Sequence, residues 1–275
     1  MRTRFALLAA CTLALAACGG KSLRSDGPPS GSTRISDLPG DAVPRPEPRS
    51  RYGNGPVYEV LGQRYRVMDS STGYQERGVA SWYGKKFHGN LTSNRETYDM
   101  YGMTAAHKTL PLPTYVRVRN LSNNRSIIVR VNDRGPFVHN RIIDLSYAAA
   151  LKLDMVKSGT GLVEVTAINF DEPQGDRPVR KSTPPAPPAT GSGPVAKTNR
   201  IFVQVGAFGD RSNAERRLSL LAQAGIRNAI IHEEQSAGRI LYRVRIGPVA
   251  DVDQYDLLVE ELENIGISDP YLISE

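Results

Sequence analysis

Apolar and polar residues alternate through much of the middle of this 275-residue chain. Val57 to Met68 (VYEVLGQRYRVM) alternates and suits one or two short strands. Val79 to Tyr83 (VASWY) predicts another, ended by Gly84. In Tyr115 to Leu121 (YVRVRNL), Val116 and Val118 face one side and Arg117 and Arg119 the other. Asn123 and Asn124 turn the chain, and Ser126 to Asn132 (SIIVRVN) returns, which makes a hairpin. Pro111 and Pro113 punctuate the segment before it. The convincing helix is Tyr147 to Leu153 (YAAALKL), rich in Ala and Leu and capped by Ser146. Several short strands with one helix predict a small closed barrel.

The pattern changes from Arg200 onward. Ile201 to Gly206 (IFVQVG) reads as a strand, and Asp210 or Ser212 can cap a helix reaching about Ala224, stopped by Gly225. Asn228 to His232 and Arg239 to Ile246 (RILYRVRI) read as strands, Asp251 to Ile265 as a helix before Gly266, and Tyr271 to Ile273 as a last strand. The order βαββαβ suggests a split βαβ sheet with both helices on one face, a ferredoxin/RNP-like α+β domain. Strand parity puts Val203, Val205, Tyr242, Val244 and Ile246 under the helices. It leaves Phe202, Gln204, Gly206, Arg243 and Arg245 on an open face, suited to hydroxyl and carboxylate recognition.

Two stretches lack the apolar residues to build a core. Residues 18–55 are rich in Gly, Pro, Ser and Arg, and residues 171–199 carry the run Pro184, Pro185, Ala186, Pro187, Pro188. Both read as extended, disordered tethers. At about 3 Å per residue the first would reach roughly 100 Å. The N-terminus holds Arg2 and Arg4 before an apolar run, Phe5 to Ala17, that falls short of the roughly 20 residues of a spanning helix. It has the build of an export signal. Leu15, Ala16, Ala17, Cys18 and Gly19 resemble the lipobox of bacterial lipoproteins. That resemblance implies removal of residues 1–17, lipid on Cys18 and, from Gly19, sorting to the outer membrane. Cys11 would leave with the signal, so Cys18 would have no disulfide partner in an oxidising compartment.

Net charge is +7, and +5 once Arg2 and Arg4 are removed. Export argues against nucleic acid as the partner of this mildly basic chain, and no aromatic RNP sequence is present. The acidic polymer of the periplasm is peptidoglycan, whose stem peptides and lactyl groups carry carboxylates. No HxxxH or HxH spacing supports a metal site among His88, His107 and His139, and no Gly-rich phosphate loop marks a cofactor.

The strings ASWYGKKFHG, TSNRETYDM, GMTAAHKTLPLPTYVRVRNL, VRVNDRGPF and RIIDLSYAAALKL resemble the double-psi β-barrel of the rare lipoprotein A family over about Arg77 to Ala167. Family members are septal lytic transglycosylases of the cell wall, some of them inactive. The resemblance implies an active site at Glu96, His107 and Asp133. One departure is visible: Asn94-Arg95-Glu96 stands where the family has Asn-Gly-Glu. Asp133 follows Ile127, Val129 and Val131 in parity, which would bring it to the rim of an apolar barrel as the general acid. Glu96 would tune it or stabilise the oxocarbenium-like state, and His107 would orient an acid or bind sugar. The rival acid is Asp144, whose Asp-Leu-Ser context resembles the catalytic region of expansin-like barrels; its bland role would be bonding N–H groups at the helix start. Trp82 and Tyr83 would stack on sugar rings or pack in the core.

FVQVGAF and YRVRIGPV resemble the SPOR domain, which binds peptide-free glycan strands at the division septum. The expected organisation is therefore a signal peptide (1–17), a lipidated tether (18–55), lead-in strands (56–76), a barrel (77–170), a Pro-rich linker (171–199) and a SPOR domain (200–275). The expected activity is endolytic lytic transglycosylation of peptide-free glycan at the septum, with no cofactor and with divisome proteins as further partners. A non-catalytic septal glycan-binding lipoprotein with a degenerate barrel, or a glycoside hydrolase, would share the same architecture.

Overall fold

The computed structural model describes residues 26–31, 33–138, 140–170, 200–236, 239–268 and 270–275. Cys18, the apolar run before it, His139 and the linker 171–199 lie outside the described residues.

A hairpin of β1 (Val57–Val60) and β2 (Gln63–Arg66) leads into the first domain. Six strands then close a barrel: β3 (Gln75–Tyr83), β4 (Thr104–His107), β5 (Thr114–Asn120), β6 (Ser126–Asp133), β7 (Arg141–Ser146) and β8 (Thr160–Ala167). Their order around the barrel is β3-β7-β4-β6-β5-β8. The pairs β3/β7 and β4/β6 are parallel and the other neighbours antiparallel. Val116, Val118, Val129, Val131, Ile143, Leu145, Val163 and Val165 fill the interior and are fully buried. Each contributes about 1.5–3 kcal/mol of apolar burial. The period-two pattern of β5 and β6 is this interior. Asn124, at a φ of 59°, takes the left-handed turn position between them. Ser146 caps α1 (Tyr147–Lys152) by accepting from the Ala149 N–H at 3.2 Å.

The strands β4 and β7 are not among the strands that alternation predicts. Ala105, Ala106 and His107 are buried, so no face of β4 alternates toward solvent.

Residues 26–56 do not leave the barrel as a free tether. The described residues of this stretch run across its surface, mostly on polar contacts. The Asp26 carboxylate accepts from the Gly84 N–H at 3.0 Å, and the Ala42 N–H donates to the Ile128 carbonyl at 3.0 Å. Glu47 pairs with Arg130 at 2.7 Å. Asn54 donates to the Leu112 carbonyl at 2.7 Å and accepts from the Leu112 N–H at 2.8 Å. A segment poor in large apolar residues is thus held mainly by side-chain and backbone pairing, with Leu38 and Ala42 packing against the barrel's apolar cluster.

The second domain contains β9 (Ile201–Phe208), α2 (Arg211–Gln223), β10 (Ala229–Ser236), β11 (Arg239–Val249), α3 (Val252–Asn264) and β12 (Tyr271–Ser274). Its antiparallel sheet runs β10-β11-β9-β12. Asp210 caps α2, accepting from Ser212 N–H at 2.7 Å. Val203, Val205, Val244 and Ile246 pack against Ala214, Leu221, Val259 and Leu262 of the two helices. Val79, Leu121 and Leu162 on the outer wall of the barrel pack against this core, and Arg77 Nη1 donates to the Leu272 carbonyl at 3.1 Å. Among the described residues no helix is long and apolar enough to cross a membrane.

Candidate active site

The site grows out of one irregularity in β6. Ala105 of β4 pairs with Val131, but its neighbour Ala106 pairs with Asp133, so the register skips Asn132. The extra residue is a bulge, and bulges re-aim the side chain that follows. Asp133 therefore leaves the interior parity of Ile127, Val129 and Val131 and joins the face of Ala106. On the other side of β4, Ala106 pairs with Asp144 of β7. The two aspartates flank one alanine across three adjacent strands. At about 4.8 Å per strand their backbones stand roughly 10 Å apart. Gly135 closes the gap: a Cβ there would lie 3.9 Å from both Ala106 Cβ and Asp144 Oδ2.

The two carboxyls live in different surroundings. Asp133 Oδ1 accepts from Ser93 N–H (2.7 Å), Ser93 Oγ–H (2.6 Å) and its neighbour Arg134 N–H (2.7 Å). Asp133 lines a cavity of about 510 Å³ with Ser93, Arg95, Tyr58 and Phe137. Asp144 does not line it. Asp144 accepts from Ser81 Oγ, which in turn accepts from Arg141 Nη1 at 3.0 Å. Burial pushes the Asp144 carboxyl up, with the Ser81 hydrogen bond and the charges of Arg141 and Lys108 opposing and the Asp133 charge adding to the rise. Its partner is a hydroxyl, and the helix start is capped by Ser146, so the expected backbone-bonding role of Asp144 is not what the fold uses.

Glu96 stands apart from the cavity. It accepts from Arg130 Nη1 (2.8 and 2.9 Å), Asn132 Nδ2 (2.8 Å) and Asn94 Nδ2 (2.8 Å). Burial acts to raise its carboxyl, but the hydrogen bonds from Arg130 and Asn132 and the Arg130 charge prevail and hold it below the usual range. Since Asn132 is the bulged residue, Glu96 holds the bulge that aims Asp133. Arg130 also binds Glu47 of the N-terminal arm, so an arm–barrel–loop chain of charges supports the site.

His107 meets neither Glu96 nor Asp133 through its ring, contrary to expectation. Its Nδ1 accepts from the N–H groups of Thr109 (3.2 Å) and Leu110 (3.0 Å). That assigns the proton to Nε2, which donates to Tyr74 Oη at 2.7 Å; Tyr74 in turn donates to Glu76. Burial, aided by the charges of Arg134 and Lys108, pushes the imidazole down to about 3, so it is neutral. Its influence runs through the backbone: the His107 carbonyl accepts from Arg134 Nη1 at 3.1 Å. Arg134 also donates to the carbonyls of Gly53 (2.8 Å) and Leu110 (2.6 Å), tying the arm to the barrel beside Asp133.

The aromatic candidates are packing residues. Tyr83 is buried, stacked on Tyr98 at 4.1 Å with Phe87 at its edge, and Trp82 tilts against Tyr147 at 5.7 Å. In the second domain a register shift skips Val205, so that Gln204 pairs with Arg245 and, on its other side, with Tyr271. Phe202 is buried rather than open, because the turn at Gly247 approaches it and Arg200 lies 5.8 Å above its ring. Arg243 pairs with Glu234 at 2.5 Å, and Arg245 is buried against Glu275. Gln204 Oε1 and Arg245 Nε are buried without a partner among the described residues.

Sequence reading missed Ser93, Arg130, Arg134 and the arm. Only Arg130 left a signal: it is a charge at an outward position of a strand whose inward positions are all aliphatic.

A barrel with this site and a four-stranded α+β module together define a two-domain protein class. Residues 75–165 match the family described as lytic transglycolase, and residues 197–274 match the SPOR domain. The endolytic peptidoglycan transglycosylase RlpA of Pseudomonas aeruginosa is 38% identical over 289 residues, covering 90% of this chain and 84% of the relative. The protein of the same name from Vibrio cholerae is 41% identical over 232 residues, covering 84% of this chain and 81% of the relative. The crystal structure of the RlpA SPOR domain from Pseudomonas aeruginosa is 26% identical, with a TM-score of 0.26, covering 26% of this chain and 96% of that one. The chain belongs to the RlpA family.

Proposed function

We propose that this chain is a peptidoglycan lytic transglycosylase acting through Asp133, and that it prefers glycan strands stripped of their stem peptides. The observation that carries this is the placement of Asp133: it lines the cavity, while Asp144, whose carboxyl burial pushes up, flanks Ala106 on the other side and does not line it. A candidate acid must first reach its proton's destination, so geometry ranks Asp133 ahead of Asp144. In the reaction Asp133 gives its proton to the glycosidic oxygen as the C1–O bond breaks. The C6 hydroxyl of N-acetylmuramic acid then bonds to C1 and returns its proton to Asp133. The products are a 1,6-anhydro end and a new free hydroxyl, and no water is consumed. Glu96 and His107 act as positioning residues, through Asn132 and Arg134 respectively.

The finer placement belongs to the same reading. Lipid on Cys18 anchors the chain at a membrane, the outer one by the Gly19 rule, facing the periplasm. The SPOR domain takes it to peptide-free glycan at the septum, where divisome proteins are further partners; buried Arg245 and ion-paired Arg243 support the sheet and are not themselves an open binding surface. Residues 171–199 link the two domains. Turnover of peptide-free strands against intact sacculi tests the substrate class. Faster release of soluble glycan from the stripped strands is expected; faster release from peptide-bearing sacculi would contradict it.

A further inference from the structure

Arg95 occupies a backbone conformation that glycine favours, with φ at 74°, in the turn closed by its own N–H donating to the Thr92 carbonyl at 2.9 Å. Strain of this kind persists where surroundings fix it, and it clusters at ligand sites. Here the surroundings are the wall of the cavity. Arg95 lines it beside Ser93 and Asp133. Its guanidinium lies 5.3 Å over the ring of Tyr52, whose other neighbour is Arg51 at 5.8 Å. The stack orients the cation without neutralising it. Among the described residues no carboxylate comes within ion-pairing distance of Arg95 or Arg51. The other cation of the cavity, Arg134, spends its donors on carbonyls and the Asn54 amide oxygen, not on an acid. The cavity is therefore basic at its rim, with the Asp133 carboxyl at its reactive wall.

We infer that Arg95 binds the lactyl carboxylate of a peptide-free muramic residue next to the bond that Asp133 cleaves. The inference rests on the glycan reading above and deepens it. A stem peptide converts the lactyl carboxylate into a neutral amide, so this contact exists only on stripped strands. A planar guanidinium fork matches a carboxylate, and Arg95 presents one at the wall of the cavity beside Asp133. Stem-peptide carboxylates are the competing source of the same chemistry, at the far end of a flexible chain.

The test follows amide hydrogen exchange of the peptide covering residues 91–97 in the full chain, which reports this cavity and not the SPOR domain. Three ligands are titrated: stripped strands, the same strands with lactyl groups converted to methylamides, and strands retaining their peptides. Wild type should reach half-protection at about tenfold lower concentration on stripped strands than on the other two. Arg95→Gly, which relieves the backbone strain and should raise Tm, should bring stripped strands to the methylamide level. Arg95→Lys should fall between. Equal protection by stripped and methylamidated strands, or no change in Arg95→Gly, would overturn the inference. So would peptide-bearing strands binding as tightly as stripped ones. Anhydro-end release by wild type is scored separately. Absent release with a persistent tenfold shift defeats the catalytic reading alone, and release without the shift defeats this one alone.

Discussion

Asp133 and Asp144 sit opposite the same residue, Ala106, on the two strands that flank β4. One is aimed into a cavity by a bulge, and the other is buried against Ser81. Division of labour between two carboxyls of unlike surroundings is how one site handles a proton at neutral pH. Asp133→Asn should lower anhydro-end formation by on the order of 10²–10⁴-fold, the usual worth of a positioned acid and base. Asp144→Asn should cost less, about tenfold, and shift the alkaline limb of the rate profile. The reverse order of severity would make Asp144 the acid.

Asp144 should also weigh on stability. Its folded-state carboxyl is raised, so between the unfolded value near 3.9 and its folded value the native state holds more protons. Stability contributed by this group is therefore present at low pH and lost as pH rises through the folded value. At pH 7 Asp144→Asn should be at least as stable as wild type, measured by urea unfolding. A clear loss would mean that the carboxylate is a structural bond.

The interior hairpin and the second domain were legible because each strand has one apolar face, so Val116, Val118, Val203 and Val244 announce themselves by parity. The strands β4 and β7 were not, because Ala105 to His107 and Leu145 to Ser146 are buried whichever way they point. Parity placed Asp133 at the barrel's end but on the wrong face, since a period of two carries no mark of the extra residue at Asn132. The arm was illegible for another reason. Its hold on the barrel is a series of single contacts, polar from Asp26, Glu47 and Asn54 and apolar from Leu38 and Ala42, with no periodicity to read. The site was visible as a set of residue types; what each one touches was not.

His107 supplies a pH test of its structural role. Its imidazole is pushed down to about 3, so from the unfolded value of about 6.5 downward the unfolded state takes up the proton first. Stability is full above 6.5 and falls by up to about 1.4 kcal/mol per pH unit as pH drops toward 3. His107→Gln should flatten the dependence between pH 6.5 and 4.5. An unchanged slope in that window would place the titration elsewhere.

Arg130 joins Glu47 of the arm to Glu96 of the site loop, with its side chain largely buried. Removing it takes the charged partner from two carboxylates, one of them, Glu47, held near 2 chiefly by its hydrogen bond from Arg130; Tyr115 and Arg45 remain on Glu47, and Asn132 and Asn94 on Glu96. Arg130→Ala should cost about 1–3 kcal/mol, the range for losing hydrogen bonds to charged groups with the half-exposed Glu96 pair discounted for screening. It should also depress turnover through the loosened Asn132 bulge. In wild type the pair's contribution is present above about pH 4.5 and lost as pH falls toward 2. An Arg130→Ala chain with wild-type stability and turnover would show that the network does not support the site.

The central claim is that bond cleavage here proceeds through Asp133 without water. Stripped glycan strands incubated with the full chain and with Asp133→Asn, then resolved by mass spectrometry, test it most directly. Wild type should release fragments ending in 1,6-anhydro-N-acetylmuramic acid, and Asp133→Asn should release them on the order of 10²–10⁴-fold more slowly. Fragments bearing hydrated reducing ends, or anhydro ends made equally well by Asp133→Asn, would contradict the account.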